Sequence, residues 1–219
     1  MCVARKKILQ DYETDIKKLN DVLIDYPENE TIRNKLNFQV RKWADIVQLV
    51  FYQAMNERKP YSSGEVRYPV LPMPTKKVSG HMQTSDYLCY LPQYKQITGV
   101  FWERKEYSDH YSTLIHHQER FYNECRRAQQ DPDCDVLIIG VEGTQQKFLK
   151  YRPNGKAGAS LQSRYALCES LSPRFGYSVI VRWHNGRQAA IDDMVNQNRM
   201  WIKYNYEKII GLGTGNTLF

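Results

Sequence analysis

At 219 residues the chain is long enough for one main domain plus an accessory element, with an interior of useful size. Its 31 Lys and Arg against 24 Asp and Glu leave a formal charge of +7, which favours a polyanionic partner. The 5 cysteines, at positions 2, 89, 125, 134 and 168, form no C-x-x-C pair, which argues against a disulfide framework or a zinc site and for a reducing, intracellular compartment.

The first apolar stripe is Leu9, Tyr12, Ile16, Leu19 and Leu23, at alternating spacings of three and four, which predicts a helix. Asp25-Tyr26-Pro27 ends it, and Pro27 with Glu28 and Glu30 suits the first turn of a second helix. That helix carries Leu36, Val40, Trp43, Val47, Val50 and Ala54, so residues 1–58 read as an antiparallel helical hairpin. Its stripes read as packing surface. Lys6, Lys7, Lys17, Lys18, Arg33, Lys35, Arg41 and Lys42 could instead charge a DNA-gripping or dimerisation arm, but Asp11, Glu13, Asp15, Asp21 and Asp25 interleave with them. Pro60, Gly64, Pro69, Pro72 and Pro74 mark residues 59–78 as a linker.

Residues 79–210 alternate between strand and helix. Tyr87–Leu91 is expected to pair in a hairpin with Gly99–Glu103, and one helix to run from about Tyr107 to Gln129. Asp135–Val141 is almost continuously apolar, as a strand covered on both faces should be. Helical character returns at Leu161–Leu171, Ser178–Trp183 is rich in strand formers, Asn185-Gly186 is a tight stop, and Arg187–Tyr204 is helical again. Residues 211–219 read as a tail. The expected fold is α/β, a mixed central sheet flanked by helices and preceded by the hairpin. No apolar run reaches membrane-spanning length, so no membrane is expected as a partner.

Chemistry concentrates at Glu103-Arg104-Lys105, after the apolar run Ile97-Thr98-Gly99-Val100-Phe101-Trp102. Strand alternation puts Glu103 and Lys105 on one face and Arg104 on the other. A carboxylate beside an ammonium at a strand end suits metal-assisted phosphodiester hydrolysis. The acid holds a hard cation such as Mg²⁺ or Mn²⁺, and the lysine orients water or steadies developing charge. A second carboxylate is available upstream at Asp86. Asp followed by Glu-x-Lys is the pattern of restriction-like nucleases, although E-x-K alone is a common tripeptide. Asp109 reads as a helix N-terminal acid able to orient Lys105 or Arg104. No Ser/His/Asp or Cys/His arrangement is supported by a motif, and the histidines, including His110 and His117, read as solvated or packed groups rather than ligands.

The longer string Asp86 … Glu103-Arg104-Lys105-Glu106-Tyr107-Ser108-Asp109 resembles the nuclease domain of the XPF family, whose signature is G-D, a spacer, then E-R-K-x-x-x-D. The likeness continues through Ser112, Arg120-Phe121 and Glu124 to Ile138-Ile139-Gly140-Val141-Glu142-Gly143, where the family has an I-(I/V)-E-G strand. Ser85 replaces the glycine of G-D, Gln118-Glu119 stands where a glycine usually precedes the arginine, and Gly64-Glu65-Val66-Arg67 is a poor match to the family's early D-x-R-E. The resemblance implies a restriction-endonuclease-like core and a divalent-metal-dependent endonuclease acting on branched or flapped DNA. In it Asp86, Glu103, Lys105 and Asp109 form the site, with Arg104, Arg120 and Glu142 in support. It also admits a non-cleaving DNA-binding or scaffold member, while a restriction-like nuclease that reads sequence is a further alternative. Substrate grip would come from a second protomer, a partner subunit or a basic segment. Lys147–Lys156 qualifies as a DNA-binding loop, with Lys147, Lys150, Arg152 and Lys156 and no acid among them, and Pro153-Asn154-Gly155 as an exposed turn.

Overall fold

The structure is a computed structural model, and it describes residues 3–54, 75–78, 85–153 and 159–212. Two compact units divide the chain. The first comprises Met1–Gln48, Leu91–Gln96 and Arg199–Phe219; the second comprises Leu49–Tyr90 and Ile97–Asn198.

In the first unit, α1 (Val3–Asp25) and α2 (Glu30–Ile46) form the expected hairpin. Leu9, Ile16 and Leu23, seven residues apart, are buried along α1, and Leu36, Val40, Trp43 and Ala44 along α2. Asn29 caps α2 by accepting from the Ile32 N–H at 3.1 Å. At the other end Arg5 donates to the Ile46 carbonyl at 2.8 Å, and Arg199 donates to the Ala44 and Val47 carbonyls. Two guanidinium groups thus satisfy carbonyls that the end of a helix leaves without partners.

The second helix was expected to reach Ala54, but it ends at Ile46, and Val50–Ala54 is strand β1. Val50 and Ala54 are four apart and fit a helical stripe, yet four is also an even number, so the same residues share a face in a strand. The β-branched and aromatic side chains of Val50, Phe51 and Tyr52 favour the strand once neighbours exist on both sides. Those neighbours are β2 (Thr75–Val78), parallel to β1, and β3 (Tyr87–Leu91), antiparallel to it. The last four residues of the expected linker are therefore a strand, and residues 59–74 lie outside the described residues.

Among the described residues the sheet has six strands, in the order β2-β1-β3-β4-β5-β6. β4 (Gln96–Glu106) follows β3 after a four-residue turn, and β5 (Val136–Glu142) and β6 (Val179–His184) lie parallel to β4. Helices fill the connections: α3 (Tyr107–His116), α4 (Gln118–Gln130), α5 (Gln145–Lys150) and α6 (Leu161–Arg174). After β6 come α7 (Arg187–Tyr204) and α8 (Tyr206–Ile210). The mixed α/β sheet with flanking helices is the architecture that strand–helix alternation implied.

One expected helix over 107–129 is two, broken at His117 with φ −127° and ψ 30°. The apolar positions give no sign of the break. Tyr111 and Tyr122 are both buried and lie eleven residues apart, three helical turns, so the stripe keeps its phase across the joint. The core of this unit gathers Phe101, Tyr111, Phe121, Leu137, Ile139, Phe148 and Val179.

Gly140 on β5 shares a face with Trp102 on β4, and a Cβ added there would lie 2.2 Å from Cζ2 of the indole. Only glycine leaves room for the fully buried Trp102. Gly140→Ala is expected to lower unfolding stability by about 1–3 kcal/mol through overpacking. Urea denaturation measures this, and a loss under about 0.5 kcal/mol would mean the indole swings aside at little cost.

Candidate active site

The site is built at the carboxyl end of β4. Trp102, Arg104 and Glu106 project to one face of the strand, and Glu103 and Lys105 to the other. On the first face Arg104 meets Glu142, at the end of β5, through a two-pronged ion pair of 2.6 and 2.8 Å. Both side chains are buried, at 6 and 9 % exposure, and the parallel register that sets Glu106 beside Glu142 explains the approach. Arg187, at the start of α7, brings a second guanidinium to 4.0 Å from the same carboxylate, and Glu106 lies 3.6 Å from Arg104.

On the second face Lys105 Nζ donates to Glu103 Oε1 at 2.7 Å. Asp86, just before β3, is held by the backbone: its N–H donates to the Trp102 carbonyl at 3.0 Å, and its Oδ2 accepts from the Arg104 N–H at 2.9 Å. Asp109 stands in the first turn of α3. Burial alone would push the Lys105 ammonium toward losing its proton. The charge and hydrogen bond of Glu103, then the charges of Asp86 and Asp109, more than offset that and raise its pKa above the ordinary lysine value. Lys105 is therefore a fixed ammonium, and three carboxylates share its one positive charge.

Beneath this cluster lies His110. It is fully buried, ringed by Phe121, Phe148 and Trp183, and neither ring nitrogen has a hydrogen-bond partner among the described residues. Burial, then the nearby charge of Lys105, lowers its pKa to about 3, so the ring is neutral. His117 is exposed at the joint between α3 and α4, and the two histidines do not bracket a ligand.

No family model matches this chain, and no curated protein matches it. Among solved structures it is similar to XPF from Aeropyrum pernix, at 18% identity and a TM-score of 0.47, over 73% of this chain and 68% of that one.

Of the residues singled out from sequence, Asp86, Glu103, Lys105 and Asp109 come together, and Arg104 and Glu142 pair on the opposite face of β4. Arg120 is not in the cluster. Its side chain is 78 % exposed on α4 and pairs with Glu124 at 3.5 Å, one helical turn away. The basic segment after β5 was expected as a loop, but Lys147 and Lys150 stand on helix α5, where Thr144 caps by accepting from the Lys147 N–H at 3.2 Å. With exposed Arg152, Tyr107, Gln146 and Tyr151 they line a cleft of about 520 Å³, with no acid among the described lining residues. Lys156 and the Asn154-Gly155 turn lie outside the described residues, as does Gly64-Glu65-Val66-Arg67.

Two features were not anticipated from sequence. Buried Arg164 on α6 donates to the Leu149 carbonyl at 2.8 Å and the Tyr151 carbonyl at 2.5 Å, fixing the end of α5 and hence the wall of the cleft. His184, at the end of β6, bonds Asp193 on α7 at 2.8 Å, and Arg182 grips the same carboxylate. Burial would raise the Asp193 pKa, but hydrogen bonds from His184, Arg182 and Gln197 outweigh it and hold the carboxyl well below the usual range. The available signal was Arg182-x-His184 at a strand end, with Asp193 two turns into the following helix. Nothing marked Arg164 as buried, because arginine in a helix ordinarily faces water.

Neutral His110 carries a pH prediction. The unfolded chain protonates this imidazole below its ordinary value of 6.5, whereas the folded protein resists protonation until about 3. Its contribution to stability is whole above pH 6.5 and is lost progressively as pH falls toward 3. His110→Leu should remove that slope, so urea midpoints at neutral and mildly acid pH should separate wild type from variant. Parallel pH dependences in the two proteins would show that His110 does not titrate on unfolding.

Proposed function

We propose that this chain is a divalent-metal-dependent endonuclease that hydrolyses DNA phosphodiester bonds, with branched or flapped DNA as substrate. The observation that carries the reading is the Lys105 ammonium held at a strand end by Glu103, with Asp86 fixed alongside by the Arg104 N–H. The order Asp86 … Glu103-Arg104-Lys105-x-x-x-Asp109, which resembles the XPF nuclease signature, supports it.

The donor set suits magnesium rather than a caged zinc or calcium ion. Among the described residues no group of three or more His, Cys, Asp or Glu converges to enclose a metal. Magnesium characteristically takes one or two protein carboxylates and fills its shell with water and substrate phosphate. Asp86 and Glu103 would hold it, joined by the Arg104 carbonyl. When bound there, magnesium or manganese supplies positive charge that polarises a phosphoryl oxygen.

The chain's own groups do the remainder. Lys105 stays protonated, so its role is to orient the attacking water and stabilise the charge gathering on the phosphate; it is not a proton acceptor. Glu103 aims that ammonium, and Asp109 adds to the field that keeps it charged. Arg104 and Glu142 neutralise each other behind the strand and thereby hold the Arg104 backbone against Asp86. In the cleft beside α5, Lys147, Lys150 and Arg152, with no acid among the described lining residues, suit a phosphate backbone, while Tyr107 and Tyr151 offer faces for stacking. A second protomer or partner subunit completes the grip on substrate, within an intracellular, reducing compartment. Among the described residues no helix is long and apolar enough to cross a membrane.

A cleavage assay on flap, fork, four-way-junction and linear DNA, with and without Mg²⁺, tests the reading. Cutting near junctions supports it, a uniform position on linear duplex would favour a sequence-reading nuclease, and binding without cutting would make the chain a scaffold. Asp86→Asn is expected to lower the cleavage rate by at least about 10²-fold while the protein still folds and binds DNA. Lys105→Ala should lower turnover by about 10²–10³-fold without moving the Mg²⁺ concentration at half-maximal activity. An equal loss of metal affinity would instead make Lys105 a structural partner of the acids.

Neutralising Lys147, Lys150 and Arg152 together should flatten the salt dependence of DNA binding by about two units of log–log slope, since each phosphate contact contributes roughly 0.7–0.9. Mg²⁺ affinity should stay as in wild type. Identical slopes for the two proteins would remove the α5 cleft from the interface.

A further inference from the structure

The cleft beside α5 is more closely built than phosphate binding alone requires. The described residues that line it are three cations, Lys147, Lys150 and Arg152, the amide Gln146, and two tyrosines, Tyr107 and Tyr151. Both tyrosines are half-buried, and their rings stand at 87° to each other with centres 5.5 Å apart. Tyr151 also meets the Tyr111 ring in a T-shaped contact at 5.3 Å. Tyr111 is itself clamped: the Arg164 guanidinium lies 4.9 Å over its ring, and its hydroxyl accepts from the Ala159 N–H at 3.1 Å. Tyr107 is admitted by Gly143, where φ is +154° and a Cβ would lie 2.8 Å from the Tyr107 Cβ. The rings are thus fixed before any ligand arrives, and little side-chain entropy is left to lose on binding.

The cleft also adjoins the acidic cluster. Phe148, buried on α5, packs on His110 with ring centres 5.5 Å apart, and His110 lies beneath Lys105. Tyr107 follows Lys105 by two residues, at most roughly 7.6 Å from Cα to Cα, and opens the helix that carries Asp109. A strand bound at the cluster can therefore run into the cleft without leaving the carboxyl end of the sheet.

We infer, on the nuclease reading of this chain, that the cleft holds one unpaired nucleotide of the DNA strand being cut, its base against the tyrosine pair and its flanking phosphates on the three cations. A paired base shows neither face, because its neighbours in the stack cover both, so the tyrosines have nothing to meet on a duplex. Cations on an open surface would serve a phosphate backbone without them. The volume of about 520 Å³ suits a single group of small-molecule size, which is one nucleotide and not the width of a double helix. Aromatic rings beside a cationic track are how single strands are held without sequence preference, since every base has a π-face. Gln146 fits that tolerance, because its amide both donates and accepts and so can meet any base edge.

Fluorescence anisotropy with labelled oligonucleotides in EDTA tests this on the full chain, with no cleavage. The wild type should bind a strand of about ten thymidines at least about fivefold tighter than an abasic strand of the same length and charge, the smallest effect expected of one stacked base. Tyr107→Leu/Tyr151→Leu should bring the two strands to within about twofold of each other and leave blunt-duplex affinity within about twofold of wild type. Tyr107→Phe/Tyr151→Phe keeps both rings and should keep the preference. Irradiated 5-iodouracil strands should crosslink to Tyr107 or Tyr151 of the wild type. Equal binding of the two strands by the wild type, or crosslinks confined to other residues, would overturn the inference. So would a leucine variant, folded by circular dichroism, that keeps the preference or loses single-strand and duplex affinity alike. If the leucine pair unfolds the chain, the two wild-type measurements decide. Junction cleavage without a base preference sinks this inference alone, and a base preference without cleavage sinks the nuclease reading alone.

Discussion

Charges buried at the end of one strand have to be paired, and β4 meets that constraint on both of its faces at once. An unpaired ion in a protein interior costs several kcal/mol even after relaxation, so Arg104 and Lys105 cannot be consecutive interior cations unless each finds a carboxylate. Alternation sends them to opposite faces. Arg104 finds Glu142 across the parallel β4–β5 register, and Lys105 finds Glu103 two residues back on its own strand. The first pair is a closed unit that binds strand to strand. The second is open: Asp86 and Asp109 add negative charge around one ammonium, so the cluster carries an excess of negative charge.

The surroundings tune this arrangement by exclusion as much as by contact. Gly140 gives Trp102 the space to fill the layer behind Arg104, and the buried ring of His110 occupies the layer beneath Lys105 without carrying charge. Had His110 been protonated, the cluster would hold a second cation and less of its negative excess. Arg164 plays the complementary part at the neighbouring cleft. Its guanidinium is spent on carbonyls at the end of α5, which leaves Lys147, Lys150 and Arg152 displayed on a fixed support. Buried arginine here shapes a surface from below.

The hairpin shows the same economy of sequence. One helix of mixed apolar and acidic residues carries an inner face, Leu9, Ile16 and Leu23, that is buried, and an outer face on which Ile8, Val22 and Tyr26 stay exposed. Positions one residue apart on a helix differ by 100°, so Ile8 and Leu9 serve different neighbours although they are adjacent in the chain.

How much of this was legible in the sequence differs by the range of the interaction. The strand-to-helix alternation and the near-continuous apolar run of β5 are local patterns that formed where their residues suggested. The chain also turns at Pro27, but Pro27 and Glu28 lie in the turn and not in the first turn of α2, which starts at Glu30 because Asn29 caps it. The grouping of Asp86 with Glu103, Lys105 and Asp109 was legible from motif order, and the opposite facing of Arg104 from alternation alone. Other features depended on partners far away in the chain. Val50–Ala54 satisfies helical and strand spacing alike, and β2 and β3, which no local pattern assigns to it, decide for the strand. The break at His117 leaves the apolar phase intact and so has no signature. Arg120 and Arg164 are the same residue type on helices, yet one lies in water and the other ends beneath α5. By itself the sequence determined which residues carry charge and which way each points along its own element, since backbone periodicity sets both. Only the tertiary structure decided which of those charges meet, because that rests on register and burial between elements, and neither is written in local spacing.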